Sequence, residues 1–216
     1  MILIKILPRK YAWRDRIIFR MLHVMYWIAI KATFVPVEII GKENLLRNQR
    51  AIYIANHQSA LDIPVVGYLA CCNPQVWFAL EYYVDKPIVG FFIRNIGVAI
   101  DRDDAFKAAR SLVKALKILE DKPYSFVIFP EGGRFNDGTV HEFLQGYVVV
   151  AKRTGLPIIP IYMPNNGAIY PPGSLVVYDH PLKIVVGKPF RYTQEETEDQ
   201  FAQRVFAWFQ AQQQNV

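Results

Sequence analysis

At 216 residues the chain suits one domain, long enough to bury about 70% of its unfolded surface. Apolar residues make up 52% and mean hydropathy is +0.12, high for a freely soluble protein. A net charge of +6 and a pI near 9.3 fit an anionic partner: membrane phospholipid, coenzyme A or an acidic carrier protein. Nucleic acid is disfavoured, because the basic residues are scattered and no nucleic-acid recognition motif occurs. The two cysteines, Cys71 and Cys72, are adjacent inside an apolar run without metal-type spacing and read as core thiols in a reducing compartment.

The segment from Trp13 to Val35 is rich in Ile, Met, Trp and Phe but carries Arg14, Arg16, Arg20, His23 and Lys31. On a helix of 3.6 residues per turn, Arg16, Arg20, His23 and Lys31 share one stripe, while Ile17, Met21, Val24, Met25 and Ile28 lie mostly away from it. That pattern predicts a helix lying in the headgroup region with its cations toward lipid phosphates. Arg20 and His23 interrupt the run of about 20 nearly uncharged residues that a spanning helix requires. No small-x-small cleavage site follows, which argues against a signal peptide. Residues 1–36 are therefore expected to be a membrane-associating helix and residues 37–216 the folded domain.

After Pro36 strand-like and helix-like stretches alternate, as in βαβ units. Strands are expected at Val37–Gly41, Ala51–Ala55, Gln75–Leu80, Gly97–Asp101, Tyr124–Phe129 and Pro157–Met163, with Leu175–Tyr178 and Lys183–Val186 as paired edge strands. Helices are expected from Ala60 to Cys71, from Pro87 to Arg94, to Leu119 behind an Asp103-Asp104 cap, from Phe143 to Thr154 and from Gln194 to Gln212. Pro164 to Gly173 reads as loop. The expected fold is α/β: a single domain whose mixed, mostly parallel central sheet is flanked by helices.

Two strand ends carry chemistry. The apolar run Ala51–Ala55 leads into Asn56-His57, Ser59 reads as a helix cap, and Asp62 falls near the first helical turn. From there the carboxylate can reach back to the imidazole, fixing its tautomer and stabilising the imidazolium of a general base. The spacing alone is weak evidence, since about 0.35 such pairs are expected by chance in this composition. The second run ends in Phe129-Pro130-Glu131-Gly132-Gly133-Arg134, where glycines let backbone N–H groups approach a ligand and a guanidinium can grip a phosphate. Open α/β sheets place their ligands at such strand ends.

With both motifs in view, the chain resembles the glycerolipid acyltransferase family typified by lysophosphatidate acyltransferase, the PlsC-like enzymes. Asn56-His57-Gln58-Ser59-Ala60-Leu61-Asp62 resembles its Asn-His-x4-Asp signature, and Phe129 to Arg134 resembles Phe-Pro-Glu-Gly-Thr-Arg. Gly97 to Arg102 resembles the acceptor block that ends in Arg, and Leu156 to Pro160 the last, Pro-containing block. Gly133 stands where the family usually has Thr, Phe135 often where it has Ser, Leu144-Gln145 where a Lys precedes Gly146, and Ala79–Tyr83 lacks a frequent lysine.

The resemblance implies transfer of a fatty acyl group from acyl-CoA or acyl carrier protein, with no cofactor beyond that co-substrate, to a lysophospholipid hydroxyl, most simply 1-acylglycerol-3-phosphate. His57 would be the general base and Asp62 its orienting acid. Arg134 and Glu131 would hold or organise the acceptor phosphate, Arg102 would add a second cation, and Pro160 would shape the pocket. Backbone N–H groups at Gly132 and Gly133 are candidate oxyanion donors. A membrane-associated location on the cytoplasmic face follows from the same likeness. A thioesterase, or a lipid-binding member altered at the acceptor positions, is the alternative.

Overall fold

The computed structural model describes residues 12–47, 49–70, 74–87, 89–101 and 103–215. Cys71, Cys72 and Arg102 lie outside the described residues. Among the described residues seven strands form one sheet: β1 (Val37–Ile40), β2 (Ile52–Ala55), β3 (Gln75–Leu80), β4 (Gly97–Ile100), β5 (Ser125–Ile128), β6 (Ile158–Tyr162) and β7 (Leu182–Val186). Their order is β1-β7-β6-β2-β5-β3-β4, and every pairing is parallel except β6 with β7. β2 and β5 are buried along their whole length, as expected of central parallel strands covered on both faces.

The helices are α1 (Ala12–Lys31), α2 (Asp62–Leu69), α3 (Val89–Ile96), α4 (Ala105–Asp121), α5 (Gly146–Thr154), α6 (Asn166–Ile169) and α7 (Glu198–Gln214). Two apolar clusters fill the space on either side of the sheet. One joins Phe126 and Ile158 to Tyr147 of α5 and to Phe201, Val205 and Phe209 of α7. The other joins Tyr53, Val127 and Ile159 to Val65, Val66 and Leu69 of α2. Asp104 caps α4 as expected, accepting the Lys107 N–H at 3.0 Å, and Gly155 ends α5 at φ 66°; a capping box of Thr197 with Gln200 starts α7 at Glu198, later than the expected Gln194.

Three expectations are corrected. Leu175–Tyr178 forms no strand, and Leu175 is 96% exposed; its alternating pattern has no neighbouring strand to receive its backbone. β7 is interior, between β1 and β6, rather than an edge. The loop after β6 contains the helical turn α6, whose Asn166 and Gly167 bond to the first motif.

α1 packs on α2, where Tyr26 lies so close to Gly67 that an added Cβ would stand 2.3 Å from its ring. Its inner face is Ile18, Phe19, Leu22 and Ile30. His23, expected among outward cations, turns inward and stacks on Tyr68 of α2 with ring centroids 4.7 Å apart. Opposite the inner face runs a second apolar stripe, Ile17, Met21, Val24, Met25 and Ile28, all exposed. No described helix is long and apolar enough to cross a membrane.

Candidate active site

Neighbouring strands bring the two motifs together. β2 and β5 pair in parallel with Ile54 opposite Ile128, so the chain leaves both strands at the same edge, and His57 and Glu131 each follow three residues later. The first turn is pinned to β6 by Asn56. Its side-chain amide donates to the Met163 carbonyl at 2.9 Å and accepts the Met163 N–H at 2.8 Å, extending the ladder by one step through a side chain.

Asp62, the first residue of α2, is fully buried and reaches back as expected: its Oδ2 lies 2.7 Å from His57 Nδ1. The same oxygen accepts the backbone N–H groups of Gln58 at 2.7 Å and Ser59 at 2.8 Å. Asp62 therefore organises the turn. Ser59 sits just ahead of α2 as expected, its Oγ accepting the Leu61 N–H at 3.2 Å while its hydroxyl donates to the Tyr170 carbonyl at 2.7 Å. A carboxylate already serving two N–H donors can only accept from the ring, so His57 carries its proton on Nδ1 and has its basic lone pair on Nε2. The ring is held in plane by stacking on Phe129, with centroids 4.0 Å apart and an interplanar angle of 12°.

The second turn grips the His57 backbone from both sides. Glu131 Oε2 accepts the His57 N–H at 3.0 Å, and the Phe135 N–H donates to the His57 carbonyl at 2.8 Å. The other Glu131 oxygen accepts the His141 N–H at 3.3 Å. Burial pushes the Glu131 carboxyl up to about 8 against the lowering effect of those two N–H donors. Glu131 thus organises the turn. Arg134 is exposed at the mouth, where its Nε donates to His57 Nε2 at 3.2 Å and its guanidinium lies 5.9 Å from the Tyr83 ring centre.

Gly132 has φ 66°, a left-handed conformation that glycine adopts without strain, and its N–H bonds the Phe129 carbonyl at 3.2 Å. That leaves the Gly133 N–H as the better oxyanion candidate of the two. Pro160 is buried inside β6 opposite Ile54, with its ring toward Gly187.

Three contributors were not singled out from sequence. Asn166 is fully buried and donates to Asp62 Oδ1 at 2.6 Å, supplying the only donor recorded for that oxygen among the described residues. Gln58 Oε1 accepts the Gly167 N–H at 3.2 Å, tying the first turn to α6. Tyr83, in the 3₁₀ turn Glu81–Tyr83 after β3, supports the arginine. Asn165-Asn166-Gly167 carries turn residues, and nothing local marks Asn166 as a partner for an acid 104 residues away. Among the described residues no group of three or more His, Cys, Asp or Glu side chains could hold a metal ion.

Residues 36–164 match the model of the family described as Acyltransferase. The chain belongs to this acyltransferase family. It is 30% identical over 163 residues to a 1-acyl-sn-glycerol-3-phosphate acyltransferase of Limnanthes alba, covering 75% of this chain and 57% of that protein. Against the protein so named from Borreliella burgdorferi it is 30% identical over 188 residues, 83% of this chain and 74% of the other. The chain spans about half the length of several plant relatives, 46% in Arabidopsis thaliana. The crystal structure of the 1-acyl-sn-glycerophosphate acyltransferase PlsC from Thermotoga maritima superposes with a TM-score of 0.80 at 23% identity, covering 97% of this chain and 84% of that one. Helices on both faces of a mostly parallel sheet are thus the shared acyltransferase fold.

Proposed function

We propose that this chain transfers a fatty acyl group from a thioester, acyl-CoA or acyl carrier protein, to the free hydroxyl of 1-acylglycerol-3-phosphate in phospholipid biosynthesis or remodelling. The observation that carries this reading is the buried Asp62–His57 pair, 2.7 Å apart, with an arginine 3.2 Å from the basic nitrogen.

His57 Nε2 takes the hydroxyl proton as the acceptor oxygen attacks the thioester carbonyl carbon. The charge on the imidazolium is balanced by Asp62, whose ionised form is held by the Gln58 and Ser59 N–H groups and by Asn166. As the carbonyl re-forms, the C–S bond breaks and the same proton passes from Nε2 to the departing sulfur. No covalent acyl-enzyme is required, and the Ser59 hydroxyl is committed to the Tyr170 carbonyl. Arg134 grips the acceptor phosphate at the mouth. The outward stripe from Ile17 to Ile28 rests on the lipid surface that supplies the acceptor, with Arg20 beside it.

The deciding assay offers radiolabelled acyl-CoA with and without a panel of lysophospholipids and follows both phospholipid and free fatty acid. The expected result is acceptor-dependent phospholipid formation that His57→Ala abolishes while the fold persists. Free fatty acid alone, whatever the acceptor, would make the chain a thioesterase, and equal activity in His57→Ala would remove the base assignment.

A further inference from the structure

We infer that Arg134 is a specificity-determining gate: its guanidinium covers the proton-accepting nitrogen of His57 until an acceptor phosphate draws it away. The inference rests on the proposed acyl transfer and adds to it a coupling between the phosphate and the base.

The geometry requires a choice. Because His57 donates through Nδ1 to Asp62, its Nε2 has a single lone pair, and Arg134 Nε–H is directed at it from 3.2 Å. An acceptor hydroxyl needs that same lone pair. Both cannot occupy it, so the arginine must move before proton transfer begins. The guanidinium opposes the reaction in a second way, since a fixed cation beside the ring disfavours the imidazolium formed when the proton arrives.

The groups facing the ring explain what could move the arginine. Asp62 is engaged by four donors, and the Glu131 oxygens accept the N–H groups of His57 and His141. Among the described residues neither acid pairs with Arg134, whose contacts there are the Tyr83 face and the His57 lone pair. A neutral nitrogen is a weaker partner for a guanidinium than a phosphate offering paired oxygens. A phosphate-bearing acceptor therefore exchanges one contact for a stronger one and uncovers the base as it binds. A phosphate-free acceptor with the same hydroxyl meets a covered base. The phosphate then contributes to kcat as well as to KM.

The test compares lysophosphatidate with monoacylglycerol as acceptors for the wild type and for Arg134→Leu, separating kcat from KM. Removing a charge-assisted hydrogen bond from the base should raise kcat on monoacylglycerol roughly ten-fold while raising KM for lysophosphatidate. A kcat on monoacylglycerol that is unchanged or lower in Arg134→Leu overturns the gate and leaves the arginine as a phosphate anchor only. A spectroscopic arm needs no turnover. In ¹⁵N-histidine-labelled protein, a 2-deoxy lysophosphatidate analogue, which has the phosphate but no hydroxyl, should move the His57 Nε2 resonance in the direction that Arg134→Leu moves it. An unmoved resonance with the analogue bound also overturns the gate. Acyl transfer persisting in His57→Ala would instead remove the reading beneath it.

Discussion

Replacing Asp62 by asparagine separates the charge of the acid from its geometry, because the surroundings dictate how the new amide must sit. The Oδ2 position faces two backbone N–H groups, those of Gln58 and Ser59, at 2.7 and 2.8 Å. Neither can turn away, so the amide oxygen must occupy that position and the amide nitrogen must face Asn166. There two NH₂ groups would meet at 2.6 Å, but Asn166 has a remedy: its own Oδ1 is buried with no hydrogen-bond partner, and a half-turn of its side chain presents that oxygen instead. The oxygen left against His57 still accepts from Nδ1, so the imidazole keeps its tautomer. What disappears is the negative charge that balances the imidazolium. For charges about 4 Å apart at an effective dielectric constant near 20, that attraction is about 4 kcal/mol, or about a thousand-fold in rate. Asp62→Asn should therefore lower kcat/KM for acyl transfer by roughly 10²- to 10³-fold, with KM nearly unchanged and the fold intact, measured by thiol release and by denaturant titration. A loss matching that of His57→Ala would mean the amide has inverted the tautomer, and an unchanged rate would mean the acid balances no charge; either result refutes the argument.

Glu131 should make stability depend on pH in an uncommon direction. Its carboxyl is raised by burial from 4.5 to about 8, so the native state binds the extra proton between those values and stability falls as pH rises through that window, by several kcal/mol at most. His23, lowered by burial, works the other way near and below 6.5, so the comparison of wild type with Glu131→Gln isolates the acid; denaturant midpoints at pH 5 and pH 8 should differ less in the variant, and equal differences would refute the assignment. On α1, Met21→Ser with Ile28→Ser should weaken co-sedimentation with anionic phospholipid vesicles roughly thirty-fold, each half-exposed side chain contributing about 1 kcal/mol of apolar burial. Unchanged partitioning would place the lipid contact elsewhere.

Strands were legible in the sequence where burial on both faces left almost only apolar residues, as in Ile52–Ala55 and Ser125–Ile128 with its single Ser125, because such runs have few alternatives to a central position. Alternation proved a poorer guide. Leu175–Tyr178 alternates as an edge strand would, but a strand needs a neighbour for its backbone, and only the tertiary arrangement decides whether one is present. His57 and Asp62 were legible because they lie five residues apart in one turn. Asn166 was not, because its bond to Asp62 depends on where β6 ends relative to β2. The same holds for His23: its place on the helical wheel is fixed by sequence, but the side that meets α2 is fixed by Ile18, Phe19 and Leu22 together.

The site owes its precision to strand register more than to the motif residues alone. A parallel sheet sends the chain out of neighbouring strands at one edge, and the pairing of Ile54 with Ile128 sets His57 and Glu131 at equal distances beyond it. The pairing of Ala55 with Ile161 then brings Met163 to the side chain of Asn56, and the chain beyond it carries Asn166 to Asp62. A slip of one residue in either pairing would reverse the faces of a fully buried strand and separate these partners at once. The apolar core thereby selects a single register, and that register holds His57, Asp62 and the turn bearing Arg134 within hydrogen-bonding distance of one another. The polar contacts refine an arrangement whose position the buried strands have already determined.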